Sequence, residues 1–135
     1  MTQEDYCSYE LSQLLKEKGF EGVCEYAYSN KGNYFEVDRG NFDEVYCLRP
    51  THQMAMKWLR EKYQLLISVD ASPIYDKVKD EKGRNTCGLL YWHYMACGEW
   101  LNDKHDATKR VFVVSGKTYE EAIEAALKYS LENLI

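Results

Sequence analysis

Two cysteines and two histidines in the second half of the chain have side chains that can bind a metal ion. Cys87, His93, Cys97 and His105 follow the spacing Cys-x5-His-x3-Cys-x7-His. Zinc usually takes its tetrahedral ligands from tight pairs such as Cys-x2-4-Cys, and no such pair is present in the sequence. We therefore interpret these residues as structural and predict no cofactor. A metal site or an enzymatic thiol around His93 and Cys97 stays open as the least favoured alternative.

A Ser-Gly-Lys-Thr sequence between an apolar run and a helical pattern is the second candidate for chemistry. A phosphate-binding loop needs Gly-x-x-x-x-Gly-Lys-Ser/Thr, but the position of the first glycine is occupied by Val111, inside the apolar run. The sequence instead predicts a turn at Gly116 and a capping box. In that box the Thr118 hydroxyl accepts from the amide of Glu121, and the Glu121 carboxylate accepts from the amide of Thr118.

Aromatic residues are abundant, with 12 tyrosines, 3 tryptophans and 4 phenylalanines in 135 residues. Several fall in segments with strand character, and a sheet that helices cover on one face leaves its other face open. Tyrosine and tryptophan on an open face suit a protein interface or the stacking of nucleic-acid bases, although half-buried strand tyrosines are at least as good an interpretation. The candidate interface residues are Tyr26, Tyr28, Tyr91, Trp92 and Tyr94.

The formal net charge of −5 is unevenly distributed, because residues 47–86 carry eight basic and five acidic side chains. An acidic chain is a poor nonspecific binder of nucleic acid, which requires neutralisation of phosphates. The basic segment 49–84 nevertheless supports a nucleic-acid-binding module as an alternative function. Its candidate contacts are Lys57, Arg60, Lys62, Lys77, Lys79 and Arg84.

The length fits a single domain, 1–135, and the N-terminus has acidic residues where an export signal would have basic and apolar ones. No apolar run is long enough for a membrane span. Five cysteines without an export signal indicate reduced thiols. These features predict a cytoplasmic protein that does not enter a membrane.

The elements that must position these residues can be predicted from periodicity and turn signals. A helix over 5–18 ends at Gly19, a hairpin follows over 23–37, and 38–48 has the composition of a loop. A second helix begins after Thr51 and leads into a strand over 65–69, whereas 75–88 interrupts the pattern with charge and turn residues.

The second half continues with an aromatic strand over 89–96, a polar loop, a strand over 110–114 and a C-terminal helix. The predicted fold is α+β, a mostly antiparallel sheet with helices packed on one face in the order helix-hairpin-helix-strands-helix. The N-terminal helix and hairpin occupy 1–48, and a helix-strands-helix unit occupies 49–135. The order within that unit is that of the double-stranded RNA-binding domain, but Glu120 and Glu121 stand where that module carries positive charge.

Three segments together resemble a group of small phage and prophage proteins of Bacteroides-type gut bacteria. They are YELSQLLKEKGFEGVCEYAYSN, RPTHQMAMKWLREKYQLLISV and TYEEAIEAALKYSLENLI. The resemblance implies a mobile-element origin and a bacterial cytoplasm, and it brings no catalytic or binding residues. Together with the strand aromatics, it leads to the prediction of a non-enzymatic phage or prophage accessory protein that acts by contact with a protein partner.

Overall fold

The computed structural model of the protein describes residues 5–38, 40–101 and 110–135, and this part contains three α-helices and two three-stranded antiparallel sheets. A short 3-10 helix, Phe42–Glu44, precedes the third strand. The predicted α+β class and element order are confirmed. In chain order the elements are α1 (Tyr9–Glu17), β1 (Tyr26–Tyr28), β2 (Tyr34–Glu36), β3 (Cys47–Leu48), α2 (His52–Tyr63), β4 (Leu65–Lys79), β5 (Asn85–Trp100), β6 (Arg110–Gly116) and α3 (Tyr119–Asn133).

The smaller sheet has the strand order β2-β1-β3 and contains the predicted hairpin. Its third strand was not predicted, because 38–48 has turn chemistry and β3 is only two residues long. β3 is a strand through its pairing, in which Cys47 lies opposite Tyr28. This sheet therefore depends on the pairing of β1 with β3, two segments that are distant in the chain, and no local sequence pattern predicts that pairing.

The larger sheet has the strand order β4-β5-β6. Along the chain, its strands lie between α2 and α3. The predicted interruption over 75–88 is wrong, since β4 continues to Lys79 and β5 begins at Asn85. The Asp80 carboxylate closes the tight turn by accepting from the amides of Lys82 and Arg84, each at 2.9 Å. These hydrogen bonds lower the pKa of Asp80. Charged residues in this segment therefore belong to a solvated hairpin.

Threonine caps begin α2 and α3 where the sequence predicts them. The Thr51 hydroxyl accepts from the amide of Met54 at 3.2 Å, and the Thr118 hydroxyl accepts from the amide of Glu121 at 3.1 Å. The second hydrogen bond of the predicted capping box is wrong. The Glu121 carboxylate accepts from the amide of Lys117 at 2.9 Å, and not from the amide of Thr118. The preceding turn brings that amide, one residue earlier, within reach.

The core lies between one face of the larger sheet and the helices. The apolar stripe of α3 packs on β4, β5 and β6, with Ile123, Leu127 and Leu131 fully buried. Gly116 is placed by this packing, because a Cβ there would lie 2.6 Å from the backbone nitrogen of Ala122. The glycine before Lys117 therefore allows the strand to turn closely onto the helix.

The two longest strands continue well beyond the third strand of their sheet. β6 pairs with β5 only as far as Tyr94, which lies opposite Gly116. Beyond that point β4 and β5 pair with each other alone as far as Lys79 and Asn85. We call this two-stranded extension, residues 72–93, the arm. As for membranes, no helix within the described ranges combines the length and the apolar character needed to cross one.

Candidate functional site

The arm leaves part of β5 without a neighbour on one side. In the described part of the chain, no strand pairs with the β6-facing edge of β5 over residues 85–93. We call this stretch the free edge. A strand edge presents backbone N–H and C=O groups that can pair with another strand. The free edge is therefore a template for strand addition.

The side chains of the free edge do not protect it against pairing. Natural edge strands are usually blunted by charged residues or by proline. The outer strand of the arm, β4, has both kinds of protection, in Pro73, Lys77 and Lys79 among others. By contrast, the sequence from Asn85 to Gly98 contains no charged residue. The two edges of the arm thus differ in the way expected if only one of them accepts a partner.

Large apolar side chains are concentrated on the arm and stand in solvent. Tyr91 is 56% exposed and Trp92 is 52% exposed, and three further residues are similarly open. Within the described part of the chain, none of the five belongs to the buried core or packs against it. Exposed apolar patches of this kind mark interaction surfaces. The set is Tyr75, Leu89, Leu90, Tyr91 and Trp92.

An open cleft of about 1100 Å³ lies where the free edge meets the beginning of α3. Tyr91, Trp92 and His93 line it from the arm, and Gly116 and Glu121 are among the residues that line it from the body. His93 Nδ1 is buried there and has no hydrogen-bond partner among the described residues. A buried polar atom without a partner costs free energy, so it favours a ligand that supplies one.

The predicted interface residues are divided between the two sheets. Tyr91 and Trp92 lie on the arm, whereas Tyr94 is half-buried and its ring contacts Tyr119 edge-on at 6.2 Å. Tyr26 and Tyr28 belong to the smaller sheet. There Tyr28 is buried, and its hydroxyl donates to the carbonyl oxygen of Cys7 at 2.7 Å.

The candidate nucleic-acid contacts are also divided. Lys57, Arg60 and Lys62 lie on α2, and Lys77, Lys79 and Arg84 lie on the arm. Two of them face carboxylates, with Lys57 Nζ 3.9 Å from Glu61 Oε1 and Arg84 Nε 2.8 Å from Asp80 Oδ2.

Of the cysteines and histidines in the Cys-x5-His-x3-Cys-x7-His spacing, the three that the structure describes do not come together. His93 and Cys97 lie on one face of β5, but they are four positions apart along the strand, a rise of about 13 Å. Cys97 instead lies opposite Ser68, with Sγ and Oγ 3.1 Å apart. Cys87 is exposed on the arm. The fourth residue, His105, lies outside the described residues.

A different cluster of ligand-type side chains was missed from the sequence. Cys7, His52 and Glu124 place one sulfur, one nitrogen and one carboxylate oxygen within 4.8 Å of one another. They come from the segment before α1, the first residue of α2 and the second turn of α3. No spacing signal connects positions so far apart in the chain. In retrospect, two of the residues stand at positions that could have drawn attention to them. His52 directly follows the Thr51 cap, and Cys7 directly precedes the α1 cap.

Backbone contacts hold this cluster in place. The amide of Cys7 donates to the carbonyl oxygen of Pro50 at 2.9 Å, which brings the start of α1 against the start of α2. Glu124 Oε1 lies 2.9 Å from His52 Nε2 and accepts from the amide of Ser8 at 2.8 Å, while Oε2 accepts from the Ser8 hydroxyl at 2.8 Å. One carboxylate therefore connects all three helices.

Arg49 forms the charged neighbour of the cluster and is itself buried. Its guanidinium lies 4.3 Å from the ring centre of Tyr6 and 4.0 Å from that of Tyr34, and Nε donates to the Tyr28 hydroxyl at 3.2 Å. Stacking on tyrosine rings stabilises a buried guanidinium. The predicted interface residues Tyr26 and Tyr28 lie around this side chain, with their ring centres 5.8 and 5.7 Å from its central carbon.

The Cys7–His52–Glu124 arrangement is not that of an activated thiol. Burial, with a smaller contribution from the Glu124 carboxylate, raises the pKa of Cys7 well above its ordinary value. A nucleophilic cysteine needs a lowered pKa and access to a substrate, and Cys7 is fully buried. The geometry therefore gives no support to thiol catalysis at this position.

The chain was compared with protein-family models, with curated proteins and with solved structures, and no match was found in any of the three.

Proposed function

We propose that this protein is a non-enzymatic protein-binding module whose binding surface is the free edge of β5. The free edge pairs with the same strand of a second copy of the chain, so that the functional form of the protein is a symmetric dimer. The observation that carries this proposal is a nine-residue stretch of uncharged and largely apolar strand edge, with which no other described strand pairs. An accessory role in a phage or prophage, which the sequence resemblance implies, is part of the same proposal.

A two-fold axis matches the geometry of the free edge. Antiparallel pairing of residues 85–93 with their copies places Leu89 on the axis and Asn85 opposite His93 of the second copy. In the second copy β6 pairs with β5 only from Tyr94 onward, and in this register Tyr94 lies opposite Arg84, in the hairpin turn of the first copy. Both free edges are therefore used along their whole length, and the end of β6 in one copy meets the turn of the other.

The buried area is that of a weak, reversible interface. Four large side chains of the free edge, Leu89, Leu90, Tyr91 and Trp92, are each about half exposed and would bury on the order of 400 Å² per copy. The total is then on the order of 800 Å², in the range of transient protein interfaces. Backbone hydrogen bonds along the strand add to this contact. We expect a dissociation constant of roughly micromolar order.

Sedimentation velocity of the full chain tests the proposal. We expect the species to shift from the 15.9 kDa monomer to twice that mass as concentration rises from about one to several hundred micromolar. The shift should persist at high salt, because the contact consists mainly of apolar surface and backbone hydrogen bonds. A protein that stays monomeric over the whole range, or that associates only at low salt, would contradict the dimer.

A further inference from the structure

The structure points to a second site, independent of the arm: we propose that Cys7, His52 and Glu124 bind a zinc ion. The three residues supply the thiolate, imidazole and carboxylate donors that zinc prefers. Magnesium and calcium take oxygen ligands, so the sulfur and nitrogen donors select against them. No part of this inference depends on the free edge of β5.

The spacing of the donor atoms suits a tetrahedral ion. Zinc bonds of about 2.0–2.3 Å separate neighbouring ligand atoms by roughly 3.3–3.6 Å. The three donors already lie within 4.8 Å of one another, and His52 Nε2 and Glu124 Oε1 are 2.9 Å apart. To reach this spacing, the distance between His52 Nε2 and Glu124 Oε1 must increase slightly, and the sulfur of Cys7 must move slightly closer to both atoms.

Charge balance also favours a divalent ion. Cys7 and His52 are buried, and the side chain of Glu124 is mostly buried. A thiolate and a carboxylate beside a neutral imidazole carry two negative charges, and together with Glu120 and Glu121 in the same cleft they outweigh the positive charge of the neighbouring Arg49. Binding releases the thiol proton of Cys7, while the proton on His52 Nε2 moves to Nδ1 by a change of tautomer. The ion thus compensates the thiolate that its own binding creates beside the carboxylate.

The surroundings supply a second shell and an entry path. The amide and hydroxyl of Ser8 donate to both oxygens of Glu124 and fix its orientation, as outer-shell groups do in zinc sites. A cleft of about 500 Å³ leads to the cluster and is lined by Glu120 and Glu121 as well as by the three ligands. A water molecule from this cleft is the expected fourth ligand.

Cobalt(II) titration of the chain, freed of metal by a chelator, tests the site. We expect one equivalent of Co²⁺ to produce the thiolate-to-cobalt charge-transfer band and the visible bands of a tetrahedral ion, and Zn²⁺ to abolish both. Cys7→Ser should remove the charge-transfer band. Cys47→Ser should retain it, because Cys47 is also buried, with a pKa raised to about 11, but belongs to no ligand cluster among the described residues.

The titration of the unmodified chain can overturn the proposal without any variant. Absence of a thiolate band at millimolar Co²⁺, with the fold verified by circular dichroism, would contradict it. A band that persists in a folded Cys7→Ser variant would place the metal at another cysteine and equally contradict the assignment. Glu124→Gln serves as the milder variant, with an expected loss of at least tenfold in Zn²⁺ affinity if the carboxylate is a ligand.

Discussion

Trp92→Lys is expected to weaken the dimer by about 100-fold or more, so that the variant is monomeric at concentrations at which the wild type is a dimer. The substitution occurs twice in a symmetric interface, and in the proposed register each lysine puts a charge opposite Thr86 of the other copy. At about 1.5–2 kcal/mol per copy the loss is roughly 3–4 kcal/mol, which raises the dissociation constant by at least about 100-fold. The monomer should remain as stable as the wild type, because Trp92 packs against no part of the core that the structure describes.

Val23→Lys is the matched control for this experiment. Val23 is also a large apolar residue in solvent, 96% exposed, but it lies before the smaller sheet and far along the chain from the arm. Its replacement should leave the dimer unchanged. Equal weakening by both variants would show that general surface hydrophobicity drives association, and the specific edge contact would then be wrong.

Glu124→Ala is expected to cause a large loss of fold stability, about 2–4 kcal/mol in the metal-free protein. The carboxylate accepts from the Ser8 amide and hydroxyl and contacts the buried His52 ring. Its removal leaves the ring nitrogen of His52 without an acceptor in a buried position, which is the more costly part.

Urea denaturation followed by circular dichroism measures this loss, in the presence of a chelator. Glu132→Ala is the matched control, because Glu132 is an exposed glutamate on the same helix. The control should change the free energy of unfolding by less than about 0.5 kcal/mol. If Glu124→Ala behaves like the control, the carboxylate does not connect the helices in the way the structure indicates.

Much of the fold follows from local physical signals that are visible in the sequence. Thr51 and Thr118 mark helix starts because a hydroxyl can satisfy free amides there, and both are confirmed as caps. Gly19 marks the end of α1 because it adopts a positive φ of 83°. The apolar stripe of α3 is confirmed as the face that covers the larger sheet.

The arm was not predicted, because a solvated hairpin lacks the alternation of apolar and polar residues on which strand prediction depends. With both faces of the arm in solvent, Lys77 and Lys79 can share one strand with exposed Tyr75 without any burial pattern. The resulting segment has the composition of a loop. Only the register between β4 and β5, with Tyr75 opposite Leu89, identifies it as a strand pair.

The ligand cluster could not be predicted from spacing for a different reason. Cys7, His52 and Glu124 are 45 and 72 positions apart, and each falls at or near the start of a different helix. Metal-site patterns in sequences rely on short intervals within one element. The cysteines and histidines that do occur at short intervals, such as His93 and Cys97, lie along one strand and are held apart by its rise.

Disulfide formation between two copies of a Leu89→Cys variant, in a Cys87→Ser background, tests the central claim most directly. Residues directly opposite each other in antiparallel strands have Cα atoms about 4.5–5.5 Å apart, within the range that a disulfide spans. Because Leu89 lies on the proposed two-fold axis, we predict rapid covalent dimer formation under mild oxidation. Tyr75→Cys, on the protected strand β4, should remain largely monomeric. A Leu89→Cys protein that does not cross-link, or that cross-links no faster than Tyr75→Cys, would contradict pairing through the free edge.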